Sequence, residues 1–79
     1  MPTLDATILD HLRTLRGEGR TLAELVHELT VLRRAGREMP QVTYNGTRLS
    51  LETLEAGRQV RREGEQWFYA PVPAQGRLF

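Results

Sequence analysis

Val42-Thr43-Tyr44-Asn45-Gly46-Thr47-Arg48-Leu49-Ser50-Leu51-Glu52-Thr53-Leu54-Glu55-Ala56-Gly57 is the stretch whose reading decides the fold. Its first half supports two readings. Asn45-Gly46 between apolar runs is the strongest short signal for a tight β-hairpin, which would pair Val42 with Leu49 and Tyr44 with Thr47. The other reading is a single helix from about Gln41 to Ala56, with Tyr44, Thr47, Leu51 and Leu54 on its inner side. Gly46 costs such a helix roughly 1 kcal/mol, which packing is able to offset. In the second half, Leu51 and Leu54 stand at i, i+3 on one helical face. Gly57 is able to take the positive φ that closes a helix.

Downstream, Val60-Arg61-Arg62-Glu63-Gly64-Glu65-Gln66-Trp67-Phe68-Tyr69 reads as two short runs of β-formers hinged at Glu63-Gly64. This predicts a hairpin with arginines on one arm. A two-residue turn there pairs Val60 with Trp67, and a three-residue turn pairs it with Phe68. Successive side chains of a strand face alternately. Of Trp67, Phe68 and Tyr69, at least one should therefore pack on the helices and at least one should be exposed, to stack on a base or to join a dimer interface, unless the run simply covers the small core, which is the favoured reading. The last residues, 71–79, hold two prolines and a glycine and are expected to be an extended or loosely ordered tail.

Upstream, Leu4, Ile8, Leu9, Leu12 and Leu15 recur at helical spacing and predict an amphipathic helix from about Thr3 to Arg16. Thr3 is placed to cap it, and Gly17 and Gly19 to end it. Thr21-Leu22-Ala23-Glu24 is a capping box. Leu22, Leu25, Val26, Leu29 and Leu32 form the stripe of a second helix reaching as far as Ala35 and stopping at Gly36. Arg37-Glu38-Met39-Pro40 is a break, because Pro40 disfavours helix at Met39 and is able to open a new one.

Seventy-nine residues make one domain, which buries only a little over ~60% of its unfolded surface. That is too small a core to house a deep catalytic pocket as well, and no enzyme is expected. Without cysteine there is no disulfide framework and no thiolate metal site. No stretch approaches the roughly 20 apolar residues of a membrane span, and the first residues carry no secretory pattern. A reducing cytoplasm is the simplest compartment. The net charge is +1, yet every basic residue is Arg and none is Lys. Genome composition is one sufficient explanation of that bias. Physically, the guanidinium fork suits phosphates and guanine edges better than ammonium does. The arginines also cluster, as Arg33, Arg34 and Arg37 and as Arg58, Arg61 and Arg62, so local fields are able to be positive while the total is near zero. His11 and His27 lack a second His or carboxylate at ligand spacing, so neither a metal nor any other cofactor is expected.

Val42-Thr43-Tyr44-Asn45-Gly46-Thr47-Arg48, with Leu51-x-x-Leu54-Glu55-Ala56-Gly57 after it, resembles the third helix of bacterial winged helix-turn-helix regulators. Thr21-Leu22-Ala23-Glu24-Leu25-Val26 is similar to that family's second helix, and the likeness covers most of residues 4–70. It favours the helix over the hairpin at 42–49. It implies an α+β fold, a winged helix with a three-helix core and a C-terminal β-hairpin wing over residues 1–70. Two departures stand out. Thr30 to Pro40 is longer than the family's tight turn, and Gly57 comes one residue early relative to the usual Leu-Glu-x-x-Gly.

The resemblance further implies a small DNA-binding regulator whose third helix enters the major groove of double-stranded DNA by its N-terminal end. Thr43, Tyr44, Asn45, Thr47 and Arg48 are then the candidates for base and phosphate contact, with Arg61 and Arg62 of the wing reaching phosphate or the minor groove. Tyr44 has a rival role as a core aromatic with its hydroxyl at the surface. A lone module of this size makes a modest interface, so a homodimer or a second DNA-binding partner would raise affinity. A different class is an interaction module that binds another protein and no nucleic acid. The near-neutral charge and Glu52, Glu55, Glu63 and Glu65 beside the contact surface favour it. RNA binding is a third option.

Overall fold

The computed structural model describes residues 2–70, and the expected tail at 71–79 lies outside them. The elements run α1 (Leu4–Thr14), β1 (Arg20–Thr21), α2 (Leu22–Arg34), α3 (Tyr44–Ala56), β2 (Val60–Glu63) and β3 (Gln66–Tyr69). The result is a small α+β fold with three helices and one antiparallel sheet in the order β1-β3-β2. Ile8 and Leu12, Leu25 and Leu29, and Leu51 and Leu54 come from the three helices in turn. They meet Val60, Trp67 and Met39 in a single buried core.

Each helix starts where its cap is. The Thr3 hydroxyl accepts the Ala6 amide, and the Thr21–Glu24 capping box is present in both directions. The Thr43 hydroxyl accepts the Gly46 amide and opens α3 at Tyr44, three residues after the expected start at Gln41. Here the helix prevails over the Asn-Gly hairpin. A Cβ on Gly46 would lie 2.7 Å from Thr43 Oγ1 and 3.6 Å from Leu4 Cδ2. Glycine thus leaves room for the Thr43 cap, which offsets its poor helix propensity, whereas the distance to Leu4 is ordinary van der Waals contact.

Two expectations about chain reversal need correction. Gly57 does not take a positive φ; its φ is −84°, and Arg58 takes the left-handed conformation at φ 60°. The Gln59 amide donates to the Leu54 carbonyl and the Arg58 amide to the Glu55 carbonyl, which makes Arg58 the residue that closes α3. That is the position at which Leu-Glu-x-x-Gly would place its glycine. The wing turn is Gly64-Glu65 instead of Glu63-Gly64. Gly64 has φ 62° at the first central position, as a type II′ turn requires. Val60 consequently pairs with Tyr69, and Trp67 pairs with Arg62.

The long connection after α2 also has a structural account. The helix ends at Arg34 and Gly36 reverses the chain at φ 104°. Pro40 opens no helix, and Met39 inserts into the core. The strand Arg20–Thr21 has no counterpart among the sequence expectations; it pairs with Gln66 and Trp67 of β3.

A polar cluster fastens α1, β1 and α2 together. Glu28 Oε1 lies 2.7 Å from His11 Nε2 and Oε2 lies 2.8 Å from Arg20 Nε. An ionised carboxylate only accepts, so Nε2 of His11 carries the proton. Partial burial pushes the Glu28 carboxyl up, but the hydrogen bonds from His11 and Arg20 outweigh it and hold the group below its ordinary range. A pKa lowered by folding contributes stability above the unfolded value, near ~4.3, and that contribution disappears as pH falls through the folded value. Urea unfolding of the unaltered protein should therefore weaken more steeply between about pH 5 and pH 3 than that of Glu28→Gln. Parallel pH profiles would remove this cluster from the account of stability.

Candidate nucleic-acid interface

The seven residues singled out from sequence do not share one surface. Burying Leu51 and Leu54 fixes the rotation of α3, and Thr47 falls on the same stripe. It is fully buried, so it touches no partner. Its Oγ1 also lacks a hydrogen-bond partner among the described residues. Thr7 of α1 is likewise buried, but its hydroxyl donates to the Thr3 carbonyl at 2.8 Å. Tyr44, expected on the inner side, is 58% exposed and is no core aromatic. Thr43, Asn45 and Glu52 are exposed too, and Arg48 is half-buried.

The hairpin divides its two arginines by the two-residue period of a strand. Arg62 stands opposite Trp67, with its guanidinium 5.4 Å from the indole centroid. Arg61 stands opposite Phe68, 4.9 Å from that ring, and its Nε is 2.7 Å from Glu63. The two therefore occupy opposite faces. Trp67 is buried while Phe68 and Tyr69 are half-buried, so the expectation of an exposed aromatic in this run is not met.

Between α3 and the hairpin lies a groove of about 360 Å³. Tyr44, Arg48 and Glu52 line it from α3, and Arg62, Glu65 and Trp67 from the hairpin. Its floor is Thr21, Leu22 and Ala23 at the start of α2. The amides of Leu22 and Ala23 belong to a first helical turn, where N–H groups have no intrahelical acceptor. Of the seven residues, the groove gathers Tyr44, Arg48 and Arg62. Thr43 and Asn45 sit in the cap and first turn of the same helix, while Arg61 and Thr47 face elsewhere.

Arg48 is held in place. Its Nη1 donates to Glu52 Oε2 at 2.9 Å and its Nη2 to Asn45 Oδ1 at 2.8 Å. Arg62 Nε donates to the Gly64 carbonyl at 3.1 Å. Two arginines and two glutamates line the groove, so its charges balance.

Sequence reasoning missed the start of α2 as a groove wall, and nothing short of the β1–β3 pairing reveals it. It also missed Glu28 as a partner of His11, because the two are seventeen positions apart. His11 and His27 both border a separate depression with Glu28, Val31 and Leu32. Among the described residues no three His, Cys, Asp or Glu are placed to hold a metal, and no helix is long and apolar enough to cross a membrane. The chain matches no protein-family description, no curated protein and no solved structure.

The position of Thr47 gives a test of this rotation of α3. A buried hydroxyl without a partner costs on the order of 1 kcal/mol or more. Thr47→Val, of similar shape, should raise the urea midpoint by an amount equivalent to about 1 kcal/mol with an unchanged slope. A clear loss of stability would show that the hydroxyl is satisfied and that α3 is turned differently.

Proposed function

We propose that this protein binds double-stranded DNA through the α3–hairpin groove, as a small winged-helix regulator. The observation that carries this reading is that the leading end of α3 and Arg62 of the hairpin line one groove. A helix whose outer face holds Tyr44, Asn45, Arg48 and Glu52 suits the major groove, where each base pair presents a distinct donor and acceptor pattern. The wing arginine then meets the phosphate backbone beside it, and the first turn of α2 offers two amides to a phosphate. Roles follow from position. Thr43 and Arg62 serve the backbone, and Asn45 and Arg48 serve base edges. Tyr44, at the groove mouth, serves either.

One observation favours a second reading. Glu52 and Glu65 balance Arg48 and Arg62, and a groove of zero net charge also suits a protein partner with mixed charge. The two readings differ in salt dependence. Each phosphate neutralised by an arginine adds about 0.9 to the slope of log affinity against log salt. A titration of random duplex at low salt should show salt-dependent binding. Arg62→Ala should weaken it on all sequences alike and lower the slope by about one. Arg61→Ala, on the outer hairpin face and already paired with Glu63, should leave the slope unchanged. No binding at low salt would favour the protein partner, and equal effects of the two variants would mean that the wing docks by its tip or outer face.

A further inference from the structure

We infer that Glu52 and Asn45 make Arg48 a reader of guanine, and that Glu52 is a specificity-determining residue of the groove. The inference rests on the DNA-binding reading above. At about 100° per residue, Asn45 and Glu52 lie about 60° and 40° round α3 from Arg48, both toward the exposed side. Their two hydrogen bonds, at 2.8 and 2.9 Å, hold the guanidinium toward the exposed side of α3 where Arg48 lines the groove.

Helix stabilisation does not explain this arrangement. The ion pair is 43% and 50% exposed, and pairs of that kind contribute at most about 1 kcal/mol and often nothing. Its order, cation four residues before anion, is also the weaker one for a helix. What the arrangement does is fix a planar donor fork in advance. Nη1 and Nη2 each keep a second N–H, and a pinned guanidinium loses less freedom when these donate to O6 and N7 of guanine.

The same contacts restrict the alternatives. Arg48 takes one lone pair of the Asn45 Oδ1, which leaves Asn45 less free to grip adenine through both amide atoms. The Glu52 carboxylate beside the fork repels phosphate, so Arg48 loses affinity for the backbone of any sequence. Only Oε2 of Glu52 is engaged by Arg48, and Oε1 remains to accept from the exocyclic amine of cytosine. The partner is therefore a duplex presenting a G·C pair in its major groove.

The experiment is selection from a randomised duplex pool, followed by titration of the selected duplex, the same duplex with 7-deazaguanine at single positions, and random duplex. The unaltered protein should select a guanine whose N7 removal weakens binding about tenfold. Arg48→Lys should lose that sensitivity, because an ammonium is a point charge without the paired donors. Glu52→Gln should bind random duplex several-fold more tightly and distinguish the selected duplex less well. Failure of the unaltered protein to bind any duplex would overturn the inference together with the DNA-binding reading. Duplex binding in which Glu52→Gln alters neither random affinity nor discrimination, or in which no N7 removal matters, would overturn the inference alone.

Discussion

The rotation of α3 about its own axis is the constraint on which the rest depends. Leu51 and Leu54 are buried against α1 and the hairpin, and this alone decides which side chains of the helix face outward. Truncating a buried leucine costs about 2–5 kcal/mol, whereas an exposed ion pair contributes at most about 1 kcal/mol. The core therefore sets the direction of the outer face, and Arg48 with its partners follows. The Thr43 cap and Gly46 act earlier in the chain of causes. They let α3 begin at Tyr44 while Leu4 of α1 comes within van der Waals reach. Had the chain turned as a hairpin at Asn45-Gly46, there would be no rod to rotate.

The hairpin's position follows from the same core by a different periodicity. Val60 and Trp67 are buried, so the face they share points inward, and Arg62 shares it near the tip. Beyond the edge of the core that inward face looks into the groove instead of into packed side chains. A turn longer by one residue would pair Arg61 with Trp67 and send Arg62 to the outer face. Gly64, at the first central position of the turn, fixes this register. Pairing of β1 with β3 then brings the start of α2 to the groove floor, so three parts of the chain converge there.

Most of the helical framework was readable from the sequence because its signals are local. The Thr21–Glu24 box, the Thr3 cap and the leucine stripes each involve residues within one or two turns. What was not readable depends on distance or on competition. Asn-Gly carries a local hairpin preference that tertiary packing overrides. The glycine preference at the end of α3 pointed to Gly57, but the chain reverses one residue later, at Arg58, despite the cost of a side chain at positive φ. Thr47 looked like a contact residue because it is polar, yet its place on the Leu51–Leu54 stripe takes it inside. Tyr44 was assigned to the same stripe and lies just beyond its edge. Of the contact residues expected from sequence, Tyr44 and Arg48 of α3 and the one arginine on the inner hairpin face come together. The split between Arg61 and Arg62 follows from the two-residue period of the strand, and the expected turn position would have given the same division.

Amide chemical shifts of the labelled protein, followed as a G·C-containing duplex is added at low salt, test the central claim most directly. Binding through the groove should move the signals of Thr43 to Glu52, of Leu22 and Ala23, and of Arg62 to Glu65 together, while Val31 and Phe68 stay still. Movement confined to the outer hairpin face or to the α1–α2 side, or a spectrum indifferent to DNA, would contradict it.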